Sequence, residues 1–229
     1  MSIKPVLSIV TPELYFGILL TFGSSIGQTF FISLFAGEIR NDFKLSHGMF
    51  GTLYSAATLL SAVVFLWLGK FTDKFDLKIL NFITIIALSI FAMLMSSVNT
   101  LVILFLSIFG LRFFGQSLLS HLAVISMTRW FSNYRGRALS ISSLGHSVGE
   151  ALLPMIIVFL LTWFSWREIW VGVSICMALI FFPVILWIQK YINSERHDKF
   201  KKDSIETNYV SRFSWSRKEV LKDLRFYKL

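Results

Sequence analysis

The chain of 229 residues carries a formal net charge of +9, yet 55% of its residues are hydrophobic and 24 are phenylalanine. A mean hydropathy of +0.68 and apolar runs long enough to cross a bilayer exclude an ordinary soluble domain. The one cysteine, Cys176, lies in an apolar run, so the sequence contains neither an internal disulfide nor a cysteine cluster for a metal.

Six segments are predicted to cross the membrane as helices, because lipid tolerates only helices and closed barrels, and these runs lack the alternation of barrel strands. The polar cluster SSVNT separates the third segment from the fourth, which together would be too long for one crossing. In chain order the predicted spans cover about 12–35, 49–68, 78–97, 100–128, 137–162 and 168–189.

The basic residues predict the orientation of these spans. Of the 22 Lys and Arg residues, 18 fall in loops and termini on one side and only three, Arg40, Lys44 and Arg167, on the other. Because the richer side is cytoplasmic, both termini are expected in the cytoplasm of a protein of the plasma or bacterial inner membrane. The sequence has no basic stripe with interleaved aromatic residues, so it does not favour nucleic acid as a partner.

The segment 190–229 has a different composition from the spans and is predicted to be a separate basic unit. Eleven of the Lys and Arg residues lie in it. Ser216 and Glu219 form a possible capping box, followed by apolar residues on one helical face. A cytoplasmic linker and a helix on the inner membrane surface both fit this pattern.

The loop GKFTDKFDLK at 69–78 joins the second and third spans. It resembles the loop motif of the major facilitator superfamily, Gly-x-x-x-Asp-Arg/Lys-x-Gly-Arg/Lys-Arg/Lys. Gly69, Asp73, Lys74 and Lys78 match, whereas Asp76 stands where the second glycine belongs. Asp at that position can adopt a left-handed backbone. The resemblance implies a cytoplasmic gate in which Asp73 engages the other half of the transporter.

Two further stretches carry the same resemblance. RFFGQ at 112–116 is similar to the fourth-span pattern of the superfamily, and RWFSNYRGRALSISSLGHSVGEALLP at 129–154 to the fifth-span entry of its monocarboxylate and oxalate/formate branches, with Arg135 and Arg137 among its basic residues. The resemblance implies an all-α membrane protein, in which 1–189 form one six-helix half of a 12-helix fold. A second six-helix half, on the same or a separate chain, is then a partner, with substrate held between the halves.

Arg112 is the one basic residue predicted in the interior of a span rather than at its end, and the 33 residues before it, 79–111, contain no charge. The midpoints of the fourth and fifth spans fall near 114 and 150, so Arg112 and Glu150 are expected at similar depth. Opposite charges at one depth indicate compensation, directly or across a polar cavity. A structural ion pair and a role in substrate or proton handling both remain open.

The helical faces add further candidates to this site. Gln116 lies about 40° from Arg112 on the fourth span, while His146 shares one face of the fifth span with Glu150. Gln28 lies at a similar level on the first span, and Tyr54 on the second can line the same cavity. Gly145 and Gly149 lie on a different face of the fifth span, where their spacing favours close helix packing.

No hydrolase elbow, metalloprotease helix, Walker loop or cysteine pair occurs, so the sequence predicts neither an enzyme nor a cofactor nor a metal site. The first hypothesis is one half of a secondary active transporter, ion- or proton-coupled, for a small organic anion such as a monocarboxylate. The alternative is a non-transporting six-span scaffold or receptor-like module.

Overall fold

The computed structural model describes residues 11–69, 72, 75–131 and 134–203, with the backbone alone for 193–203. Within these residues the fold is all-helical, as predicted. Six helical segments are long and apolar enough to cross a membrane: Pro12–Ser33, His47–Leu68, Leu77–Ser96, Leu101–Trp130, Arg135–Leu160 and Trp166–Ile192. They agree with the six predicted spans to within a few residues, and we number them one to six.

Several spans are irregular along their length. The first consists of helix Pro12–Ser24, a 3-10 turn Ser25–Gly27 and helix Thr29–Ser33. A short helix follows it outside the span, Ala36–Phe43. The fourth joins α-helices Leu101–Gly110 and Ser120–Trp130 through a π-helix, Leu111–Leu119, and the sixth joins Trp166–Cys176 and Phe182–Asp203 through a second π-helix, Met177–Phe181.

Side chains that cap orphan backbone N–H groups set where the spans begin. Ser46 accepts from Met49 N, Thr100 accepts from Ile103 N, and Ser165 forms a full capping box with Glu168. Asp76 caps the third span by accepting from Lys78 N at 2.8 Å, and its φ is −63°. The left-handed conformation considered for Asp76 is therefore absent, and the residue acts as a helix cap.

The first span is held against the fifth by close backbone approach. A Cβ added at Gly145 would lie 2.1 Å from Ile18 O, and one at Gly149 would lie 2.2 Å from Ser25 Oγ. The predicted packing role of this glycine pair is thereby confirmed. Small residues let helices approach closely in a bilayer, where association depends on van der Waals contact and interhelical hydrogen bonds.

The third and sixth spans are joined by a reciprocal pair of hydrogen bonds. Ser89 Oγ donates to Ser174 O at 2.9 Å, and Ser174 Oγ donates to Ser89 O at 2.8 Å. Both side chains are buried, so their hydroxyl groups are satisfied where no water is available. This pair therefore fixes the sixth span on the third.

One end of the bundle is held by a charged cluster around Arg167. Its guanidinium pairs with Asp42 at 3.2 Å, donates to Val98 O at 2.7 Å and lies 4.2 Å from the Trp166 ring centroid. Trp166 Nε1 also donates to Asp42 at 2.9 Å. The helix after the first span, the loop after the third and the start of the sixth are thus tied together.

The chain divides into two compact units, Met1–Asn193 and Ser194–Leu229. Of the second, the structure describes only helical backbone as far as Asp203. The predicted boundary near 190 stays a prediction, and so does the linker or surface helix beyond it, whose residues 204–229 lie outside the described part.

Candidate functional site

The candidate site is built around a break in the first span. Gln28 has an extended backbone, with ψ of 156°, between the 3-10 turn and the helix that restarts at Thr29. The π-helix of the fourth span lies directly against this break, since a Cβ added at Gly27 would be 2.2 Å from Leu111 O and 2.7 Å from Gly115 Cα. Only glycine fits here, and π-helical segments are frequently found at functional sites.

Arg112 projects from the π-helix and caps the broken helix. Its Nη1 donates to Gly27 O at 3.2 Å and to Thr29 Oγ1 at 3.0 Å, while its Cζ lies 5.6 Å from the Tyr54 ring centroid. The residue is 6% exposed. A buried guanidinium in an apolar run is thus compensated by a carbonyl, a hydroxyl and an aromatic face.

Arg112 and Glu150 make no direct ion pair among the residues that the structure describes, where Asp42–Arg167 is such a pair. Arg112 is buried and Glu150 exposed. Thr29 connects the two environments, because it accepts from Arg112 and also lines the cavity beside Glu150. The direct ion pair is thus absent among the described residues, and compensation of Arg112 by Glu150 across the cavity stays a prediction, since Arg112 does not line that cavity.

Several polar atoms near Arg112 or one helical turn away have no hydrogen-bond partner within the described residues. Arg112 Nε is one, because both bonds of this side chain use Nη1. Tyr54 Oη, under the guanidinium, is another, and so are Thr58 Oγ1 and Gln116 Oε1, each four residues along its own span. A buried polar atom left unpaired costs about 1–3 kcal/mol, so these atoms require a water or a ligand.

A polar cavity of 490 Å³ lies on the other side of Thr29. Gln28, Thr29 and Phe30 of the first span line it together with His146 and Glu150 of the fifth. His146 is half-buried, and its Nδ1 lies 3.3 Å from Ser24 Oγ. The structure thus places Gln28, His146 and Glu150 in one cavity and Tyr54 beside Arg112.

The described residues of the predicted gate motif lie at the end of the bundle opposite Asp42. Gly69 ends the second span, and its N–H donates to Phe65 O. Lys78, Arg135 and Arg137 are exposed, whereas Asp73 and Lys74 lie outside the described residues. Arg129 Nη2 donates to Thr72 O at 3.3 Å, which joins the end of the fourth span to this loop.

Sequence reasoning missed several features of the site. Thr29 was not a candidate, although a hydroxyl next to Gln28 was a usable signal. The break in the first span had only a weak signal in Gly27, and the π-helix had none, since RFFGQ is compatible with an ordinary α-helix.

A sequence profile of the Major Facilitator Superfamily matches residues 17–228 of the chain. The match covers all six spans apart from the first five residues of the first. The chain belongs to the major facilitator superfamily. No individual curated protein matches the chain significantly.

Membership of this superfamily, together with the six apolar helices, makes the chain an integral membrane protein of the transporter class. The superfamily consists of transporters rather than enzymes, which agrees with the prediction that the chain is not an enzyme. Membership of the superfamily does not favour the alternative, a non-transporting six-span scaffold or receptor-like module. The resemblance to the monocarboxylate and oxalate/formate branches stays a prediction.

Proposed function

We propose that the chain forms one half of a secondary active transporter for a small organic anion such as a monocarboxylate. In this proposal Arg112 binds the carboxylate, and Glu150 and His146 carry the coupling proton. The observation that carries the proposal is the buried Arg112, which is bound to the broken first span and has an unpartnered Nε among other unpartnered polar atoms.

A carboxylate can accept from three of the atoms that the protein itself leaves unpaired, because these atoms are donors. Arg112 Nε is a charged donor, Tyr54 Oη and Thr58 Oγ1 are hydroxyl donors, and the Gln116 amide supplies a further donor beside its unpartnered oxygen. Charge-assisted hydrogen bonds of this kind are about twice as strong as neutral ones. An anion therefore suits this position better than a neutral solute.

The cavity beside Thr29 suits proton exchange. Glu150 is exposed to it, with His146 one helical turn away on the same lining. Carboxylate and imidazole groups are the usual proton carriers of membrane transporters. Because Thr29 accepts from Arg112 and lines this cavity, a change at Glu150 is felt at Arg112 through one side chain.

The remaining parts of the proposal follow the superfamily pattern. A second six-helix half faces the polar cavity and encloses the substrate near the membrane midplane. Both termini are cytoplasmic in a plasma or bacterial inner membrane. The gate motif, with Gly69, Asp73, Lys74, Lys78, Arg135 and Arg137, then lies at the cytoplasmic end and closes when the transporter faces outward.

The proposal is tested by ligand-induced stabilisation of the purified protein. Acetate, lactate and oxalate are added to the protein in detergent, with acetamide as the uncharged control, and the melting temperature is followed. A ligand at 100 times its Kd adds about 2.7 kcal/mol to the stability. We expect stabilisation by at least one carboxylate but none by acetamide. If that stabilisation persists unchanged in Arg112→Lys and Arg112→Gln, then Arg112 does not bind the anion.

A further inference from the structure

The first, fifth and sixth spans enclose an apolar groove that is separate from the polar cavity. Residues of all three spans line it, and the fifth and sixth spans are consecutive in the chain. The groove has a volume of 530 Å³ and is lined chiefly by Phe22, Ile26, Leu153, Leu160, Val173 and Cys176. No residue of the sixth span lines the polar cavity.

The groove lies at the depth of the hydrocarbon core, because the side chains that line it belong to the spans or to the turn that joins two of them. It begins near Phe164, in the turn before the sixth span, and Glu168, in the first turn of that span, and extends inward to Cys176 and Met177. At a rise of about 1.5 Å per residue the groove is roughly 13 Å long, which is about half the thickness of the hydrocarbon core, or one leaflet. Its depth therefore matches a chain that enters from one leaflet.

The polar end of the groove carries a carboxylate with free hydrogen-bonding capacity. Glu168 is exposed, and Ser165 N and Ser165 Oγ both donate to its Oε2 at 2.8 Å. Its Oε1 makes no hydrogen bond within the described part of the chain. An acidic group at the mouth of an apolar groove attracts a cationic group and repels an anionic one.

We propose that this groove binds one acyl chain of a membrane phospholipid whose headgroup carries a primary ammonium. The acyl chain lies between the fifth and sixth spans on Phe22 and Ile26, and the ammonium donates to Glu168. Moving an acyl chain from the bilayer into the groove gives no hydrophobic free energy, because both environments are apolar. Retention therefore comes from close van der Waals contact with three helices and from the ion pair at the mouth.

The groove can be filled without straining the fold. A Cβ added at Gly172, which lines the groove, meets no atom within 4 Å, and the same is true at Gly51, an exposed position of the second span outside it. Gly172→Leu therefore occupies the groove, and Gly51→Leu is the matched control. Both place a leucine on an open helix surface.

Native mass spectrometry measures lipid retention by the chain in the form that is stable in detergent, paired with a second copy or with a second six-span half. Phosphatidylethanolamine and phosphatidylglycerol of identical acyl chains are added in separate samples. We expect the wild type and Gly51→Leu to retain one phosphatidylethanolamine. In Gly172→Leu retention should fall roughly tenfold, as the loss of about ten carbon contacts implies. Glu168→Gln should hold both lipids equally. Unchanged lipid retention in Gly172→Leu would show that the acyl chain does not bind in the groove. A preference of the wild type for phosphatidylglycerol would show that the headgroup assignment is wrong.

A second measurement does not depend on the folding of Gly172→Leu. Cys176 is the only cysteine of the chain, is exposed and lines the groove. Its modification by a membrane-permeant maleimide in delipidated protein should slow severalfold when phosphatidylethanolamine is added. A cysteine at the exposed position Leu179, introduced as Leu179→Cys with Cys176→Ala, is the control and should not slow to the same extent. Equal protection at both positions would show a general lipid coat instead.

A Gly172→Leu protein that changes its dimer fraction but not its lipid content would assign the groove to a second copy of the chain, and would also overturn the proposal.

Discussion

Arg112 Nη1 donates to Gly27 O at 3.2 Å, so the π-helix of the fourth span supplies the cap for the break in the first. The same nitrogen donates to Thr29 Oγ1 on the far side of the break. One guanidinium thereby spans Gln28, the residue whose extended backbone interrupts the helix. The break in the first span and the π-helix of the fourth span therefore form the site together.

The first prediction concerns the charge at Arg112. Lysine retains the charge but loses the planar fork, so it cannot bind Gly27 O and Thr29 Oγ1 through one nitrogen while a second nitrogen faces a carboxylate. We expect Arg112→Lys to insert normally but to lose most uptake of the true substrate, and Arg112→Gln to lower the stability by about 1.5–3 kcal/mol. Uptake is measured with the complete transporter, in which both six-helix halves are present, and thermal unfolding is followed in parallel. Arg40→Lys, in the short helix Ala36–Phe43 after the first span, is the control. Unchanged uptake in both variants would make the arginine structural.

The second prediction separates ligand binding from folding at Tyr54. Its hydroxyl has no partner within the described residues, so Tyr54→Phe removes an unpaired polar atom and keeps the ring beneath Arg112. The stability without ligand should remain equal or rise, because no hydrogen bond is lost. The stabilisation by a carboxylate should fall by about 1 kcal/mol, measured by the ligand-induced shift in melting temperature. Tyr15→Phe, at an exposed position, is the control, and a fall in ligand-free stability would contradict the assignment.

Glu150 provides the third prediction. It is exposed to the polar cavity and forms no ion pair among the described residues. Glu150→Gln keeps the shape but cannot exchange a proton, so the protein should fold while substrate addition no longer changes the pH inside vesicles. A pH-sensitive dye trapped in the vesicles reports this change. Glu38→Gln should behave as wild type, and proton movement that persists in Glu150→Gln would exclude Glu150 as the carrier.

A fourth prediction tests the packing of the first span on the fifth. A Cβ at Gly145 would meet the backbone atoms Ile18 O at 2.1 Å and Phe22 N at 2.8 Å. Backbone cannot move aside cheaply, so Gly145→Ala should cost about 1–3 kcal/mol. At Gly149 the nearest atom is Ser25 Oγ, a movable side chain, so Gly149→Ala should cost less. Gly51→Ala, in open space, should be neutral or stabilising, and thermal unfolding that ranks the three otherwise would refute this packing.

The fifth prediction concerns the proposed second half. Gln28, Thr29 and Glu150 line a polar cavity that would face lipid if nothing covered it, and unsatisfied polar groups there cost several kcal/mol each. The 229-residue chain expressed alone should therefore aggregate, be degraded or pair with a second copy. Co-expression with a second six-span half should restore it, as measured by size-exclusion chromatography in detergent. A stable monomer that transports substrate in liposomes would disprove the need for a partner.

The sequence by itself determined the six spans and the helical class of the fold. Both depend on the length and apolarity of each run, which are local properties of the chain. The caps at Ser46, Thr100 and Ser165 are local for the same reason, since a short polar side chain reaches N–H groups of its own first turn. The packing role of Gly145 and Gly149 was also readable, because their spacing places them on one face of a helix.

Tertiary structure alone decided how Arg112 is compensated. From the sequence, Glu150 was the obvious opposite charge at similar depth, but the guanidinium is instead held by Gly27 O and Thr29 Oγ1. The carbonyl that binds Arg112 belongs to Gly27, next to the break in the first span. Every residue has a carbonyl, so no residue type predicts which one will accept this bond. That break in turn requires the close approach of Gly27 to Gly115 on another span, which is a property of the packed bundle rather than of either segment.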